Sequence, residues 1–132
     1  MRLTLENKHW IAPIEDPRSI IDIGTGTGIW CMDVADDFPG STVMGIDLSP
    51  IQPTLVPPNL EFIVQDLEES WDMPNRFDFV HTRCMNGFSV KSWPTFYENA
   101  FISLKAGGWV SALFQRVIVN ANLDFPGRES GI

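Results

Sequence analysis

The run Ser19-Ile20-Ile21-Asp22-Ile23-Gly24-Thr25-Gly26-Thr27-Gly28 constrains this chain more than any other stretch. A short apolar segment ends in alternating glycines, and a helical pattern opens directly behind them. Ile29, Met32, Val34 and Ala35 fall close to helical spacing before Pro39-Gly40 stops the pattern. A buried strand that turns through glycines into a helix lets the backbone approach a ligand closely, as at the first crossover of a doubly wound sheet. The glycine pattern alone is weak evidence, because glycine turns are common. Its place between the first strand and the first helix raises its value. Asp22 stands inside the apolar strand, where a carboxylate is costly unless it is hydrogen bonded or paired.

The rest of the chain repeats the alternation. Thr42–Ile46, Leu60–Val64, Phe77–His81 and Trp109–Phe114 read as further strands. The spacing of Phe96, Ala100, Phe101 and Leu104 predicts a helix over Trp93–Leu104, with Lys105-Ala106-Gly107-Gly108 ending it. Ser49–Asn59 holds four prolines and must be an irregular loop, and Gln65–Asn75 reads as loop with a short helical turn. Strands that alternate with helices or irregular connections imply an α/β fold with a mostly parallel sheet. Residues 1–18 read as a lead-in, 19–114 as the core and 115–132 as a divergent tail. Within the tail Val117-Ile118-Val119 can extend a strand, and Asn120–Ile132 looks frayed.

Two acids sharpen the ligand. Asp47 closes the second strand, where a carboxylate can accept both hydroxyls of an adenosine ribose; the bland alternative is a solvated turn before Ser49-Pro50. Asp66 follows the third strand and can accept from an adenine amine, although it is also one acid among Asp66-Leu67-Glu68-Glu69. A triphosphate loop needs Gly-Lys-Ser/Thr, and here the loop ends Gly28-Ile29-Trp30. The dinucleotide pattern wants a glycine where Ile29 stands, which weakens an NAD-dependent oxidoreductase. Tyr97 also has no lysine four residues on. A pocket with Asp22, Asp47 and Asp66 and no nearby lysine suits S-adenosylmethionine, which brings a sulfonium and an ammonium but no phosphate.

Acidic residues outnumber basic ones 17 to 9, so no nucleic-acid partner is expected. Cys31 and Cys84 form no CxxC pair, and His9 and His81 lie far apart in sequence, so no metal site is expected and both cysteines read as reduced thiols. No stretch is long and apolar enough for a membrane span or a signal peptide, which predicts an intracellular protein of cytoplasm or nucleus.

Ile20 to Trp30 resembles motif I of the class I S-adenosylmethionine-dependent methyltransferases. Gly45-Ile46-Asp47-Leu48-Ser49-Pro50-Ile51-Gln52-Pro53, with Val56-Pro57-Pro58-Asn59, is similar to the fungal LaeA-like methyltransferases, as are Phe77-Asp78-Phe79-Val80-His81-Thr82-Arg83 and Leu104 to Val110. The resemblance implies a Rossmann-like fold with Gly24, Thr25, Gly26 and Gly28 around the methionine part of the cofactor. It implies Asp47 and Leu48 at the ribose, Asp66 and Leu67 at the adenine, and His81 facing the methionine or methyl group, with Arg83 carried over less securely. It also implies a chain shortened at both ends relative to the family, with about five of seven sheet strands, as from a splice variant or a pseudogene-like reading.

His81 is the one candidate general base in the matched region, weighed against a strand-end His bonded to backbone. Trp30, Trp71 and Trp93 can line an acceptor pocket, although core packing suits at least two of them better. Met32 and Met85 read as core or pocket wall. Losing the last strands would leave the fifth strand's edge open to self-association and the acceptor site incomplete, so weakened cofactor binding and poor turnover are expected. The acceptor itself is not readable from the sequence. The alternative is a non-catalytic module that binds cofactor, a regulatory protein or a second copy.

Overall fold

A computed structural model describes residues 9–66, 69, 71–83, 92–112 and 117–121. The strands are β1 (Ser19–Ile23), β2 (Thr42–Asp47), β3 (Leu60–Val64), β4 (Phe77–Thr82), β5 (Leu104–Ala112) and β6 (Val117–Asn120), and the helices are α1 (Ile29–Asp37) and α2 (Trp93–Ser103). They form one sheet in the order β3-β2-β1-β4-β5-β6. All neighbours run parallel except β5 and β6. The chain thus reverses direction across the sheet at β1, and the glycine turn leaves β1 at that switch point, where open α/β sheets place their ligands.

Strand alternation divides the core in two. Ile20, Val43, Leu60 and Phe79 face α1, which buries Trp30, Cys31, Val34 and Ala35 against them. Ile21, Ile23, Met44, Ile46, Val80 and Val110 face the other way, toward Phe96, Ala100 and Phe101 of α2. The period-two pattern of apolar residues buried on both sides is what a covered parallel sheet requires. Helix α2 begins at Ser92, whose hydroxyl accepts from the Thr95 amide, with Pro94 in its first turn.

Three sequence expectations change. About five strands were expected, and the described residues hold six, because Val117–Asn120 pairs antiparallel with Trp109–Ala112. The outer edge of β5 is therefore filled, not open, and the four-residue β6 is the strand at that end of the sheet. The glycines after α2 do not cap it. The helix stops at Ser103, Leu104 already pairs with Phe77, and pairing resumes at Trp109 with Phe79. Residues 105–108 bulge out of the ladder, with Gly107 at a φ of 84°. A Cβ on Gly108 would lie 2.8 Å from the Leu104 side chain and 3.0 Å from the Asp78 carbonyl oxygen, so the bulge itself demands the glycine pair.

Candidate functional site

At the end of β1 the chain enters the loop Gly24 to Gly28 with φ values of 74°, 61° and 85° at its glycines, a region side chains resist. The amides of Gly24 and Thr25 both donate to the Ile46 carbonyl, at 2.8 and 2.9 Å, which docks the loop onto the end of β2. The glycines then serve different ends. A Cβ on Gly28 would run into the Phe62 ring, and one on Gly45 would sit 2.8 Å from the same ring. These two glycines let Phe62 lie flat between β2 and the start of α1. Among the described residues nothing lies within 4 Å of where a Cβ on Gly26 would stand, so open space lies in front of it.

Asp47 faces this space. Its Oδ2 accepts the Gly26 amide at 2.8 Å, and its Oδ1 accepts the Ser49 amide at 2.9 Å. Each oxygen keeps a further lone pair for another donor. Among the described residues no lysine or arginine forms an ion pair with Asp47. Leu48 is exposed beside it. The Asp47 carbonyl accepts the Gln65 amide at 3.0 Å, which brings the end of β3 alongside, and Asp66 follows exposed. Leu67 and Met85 lie outside the described residues, as does Cys84. Arg83 is exposed just past β4.

Asp22 does not face the open space. It is buried on the α1 side of the sheet, and its Oδ1 lies 2.8 Å from Nδ1 of His81, its register neighbour on β4. The carboxylate flagged as costly is thus paired. His81 is fully buried, and the Trp30 ring stacks on it at 3.8 Å and 2°. The Trp30 indole N–H in turn donates to the His9 carbonyl at 3.0 Å. Cys31 lies over the same carboxylate and touches Thr25 Oγ1 at 3.2 Å. Burial, reinforced by the Asp22 charge, pushes the Cys31 thiol far above its ordinary range, so it stays protonated.

Ser111 continues the row on β5, giving Asp22, His81 and Ser111 side by side on one face. Among the described residues Ser111 Oγ and His81 Nε2 have no hydrogen-bond partner, and both are sealed from solvent, so the row is not arranged as a nucleophilic triad. Trp71 belongs to the core on the α2 side, with Trp93 packed against that core and Met32 against the other.

The sequence reading missed Gln52. Its Nε2 donates to the Gly26 carbonyl at 2.6 Å and to the Ser49 carbonyl at 2.9 Å. The only signal for it was its place in the distinctive run Ser49 to Pro53.

A glycine turn at the switch point of a mostly parallel sheet, with an acid closing the next strand, defines a Rossmann-like domain of the nucleoside-binding kind. The family described as methyltransferase domain matches residues 2–122, and the chain belongs to it. The chain is 43% identical over 109 residues to methyltransferase pytC of Aspergillus terreus, covering 80% of this chain and 33% of that protein. It is 45% identical over 101 residues to the secondary metabolism regulator LAE1 of Cochliobolus heterostrophus, covering 74% of this chain and 32% of that one. The chain thus spans about a third of the length of these relatives. Among solved structures it is similar to phosphoethanolamine N-methyltransferase 2 of Haemonchus contortus in complex with S-adenosyl-L-methionine. That likeness has a TM-score of 0.62 and 27% identity, and covers 74% of this chain and 24% of the other. No helix among the described residues is long and apolar enough to cross a membrane.

Proposed function

We propose that this chain carries the cofactor half of an S-adenosylmethionine-dependent methyltransferase of fungal secondary metabolism. The observation that carries the proposal is the Asp47 carboxylate, set beside the open space at Gly26 and unopposed by any described cation. An acid with free lone pairs welcomes ribose hydroxyls and repels a phosphate on that ribose, and Ile29 in place of the dinucleotide glycine, with the methyltransferase family match, favours S-adenosylmethionine over a dinucleotide. The residues present fit such a cofactor. Gly24, Thr25 and Gly26 would border its methionine part, Asp47 and Leu48 its ribose, and Asp66 and Leu67 its adenine. Gly28 contributes by letting α1 start close to Phe62.

When bound, S-adenosylmethionine supplies a methyl carbon already activated by the positive sulfur. The chain's own residues contribute alignment, which is most of what such a displacement needs. A base matters only where the acceptor must shed a proton. In this reading His81 is not that base, because an acceptor cannot reach an imidazole sealed under Trp30. His81 instead holds Asp22, the residue one step ahead of the Ile23-Gly24 turn, through its Nδ1 at 2.8 Å. The acceptor is a small molecule or a protein.

Calorimetric titration with S-adenosylmethionine and S-adenosylhomocysteine tests the proposal. Saturable binding that weakens by roughly 10- to 100-fold in Asp47→Ala is the expected result, as for a lost charged hydrogen-bonding group. A folded protein that gives no heat with either compound refutes it.

A further inference from the structure

Two residues at the mouth of the site, Gly26 and Ser49, are held in the same way. The amides of Gly26 and Ser49 both donate to the Asp47 carboxylate, and their carbonyls both accept from Gln52 Nε2. Four hydrogen bonds thus close a ring that joins the glycine loop to the loop after β2. The residue types follow from the ring. A carboxylate offers two acceptors to two N–H groups, and a primary amide offers two protons to two carbonyls. Because both partners are carbonyls, only the NH2 end of Gln52 can face them.

We propose that Gln52 is a positioning residue for cofactor binding: it fixes the orientation of the Gly26 carbonyl and keeps the glycine loop registered on Asp47. The proposal rests on the cofactor reading above and deepens it. Gly26, at a φ of 61° with nothing around its Cβ position, has little of its own to hold the peptide that follows. A trans peptide points its N–H opposite to its C=O. By drawing the Gly26 carbonyl to one side, Gln52 sends the Thr27 N–H to the other, so one amide sets the direction of a backbone donor at the site. Gln52 belongs to the proline-rich connector between β2 and β3, and both of its bonds go to the site loops and not to the core. Its loss should therefore act on affinity more than on stability.

The test compares the full chain with Gln52→Ala and Gln52→Glu, titrated with S-adenosylhomocysteine, alongside thermal melts. We expect Gln52→Ala to weaken binding about tenfold with an unchanged melting temperature, as two modest hydrogen bonds are lost. Gln52→Glu should bind more weakly still at neutral pH, since a carboxylate would face two carbonyls and Asp47. It should recover part of the loss as the pH falls through the glutamate range and a proton returns to face a carbonyl. Wild-type affinity in both variants overturns the proposal, and so does a loss of binding that tracks a lowered melting temperature. If the parent chain itself shows no binding, the cofactor reading fails, and the ring is then judged by amide hydrogen exchange alone. Faster exchange at Gly26 and Ser49 in Gln52→Ala supports it, and unchanged exchange overturns it.

Discussion

On the α2 side of the sheet, Ile21, Ile23, Met44, Ile46, Val80 and Val110 meet Phe96, Ala100 and Phe101, and the buried hydroxyl of Thr82 donates to the Ile23 carbonyl. On the α1 side the same strands carry Asp22, His81 and Ser111 in a row, roofed by Trp30 and Cys31. Each face is sealed from water, but they are held by different means. The apolar face is stabilised by area and volume, which degrade by degrees. The polar row depends on partners, and removing one leaves the other desolvated and alone.

That contrast can be broken at several points. The largest effect is expected for Asp22→Ala, which strands a buried imidazole and should cost about 3–5 kcal/mol in urea unfolding. Replacing both partners, with Asp22→Leu and His81→Leu together, should cost less than Asp22→Ala alone; if the double change is worse, the row does more than satisfy itself. Next comes Gly28→Ala, where a left-handed backbone and the Phe62 ring both object, at about 2 kcal/mol in the same measurement. The smallest effect belongs to the opposite face. Ile46→Val removes one methylene from a fully buried side chain and should cost about 1 kcal/mol, with cofactor affinity unchanged.

The strands and α1 were legible because their signals are local: apolar runs that end in glycine, and a helical pattern stopped by Pro39-Gly40. The place of Asp47 at the end of β2 was legible for the same reason, since position at a strand end is a sequence property. What escaped depended on partners distant in the chain. Asp22 was rightly flagged as needing a partner, but His81 lies 59 residues away and only the β1–β4 register joins them. Gly107 and Gly108 suit a helix end as well as a strand bulge, and the pairing of Leu104 with Phe77 decides between them. Val117-Ile118-Val119 was legible as strand-forming, but its antiparallel pairing with β5 was not. Gln52 binds main-chain carbonyls, which carry no residue signature, so its role could not be read before the two loops were seen together.

The stacking of Trp30 on His81 has an optical consequence. An imidazole in face-to-face contact with an indole offers its excited state a route of decay, so the emission of Trp30 should change when the two rings, parallel at 3.8 Å, come apart. Over the emission of the four other tryptophans, Trp30 therefore reports the parting of the α1 face without any attached dye.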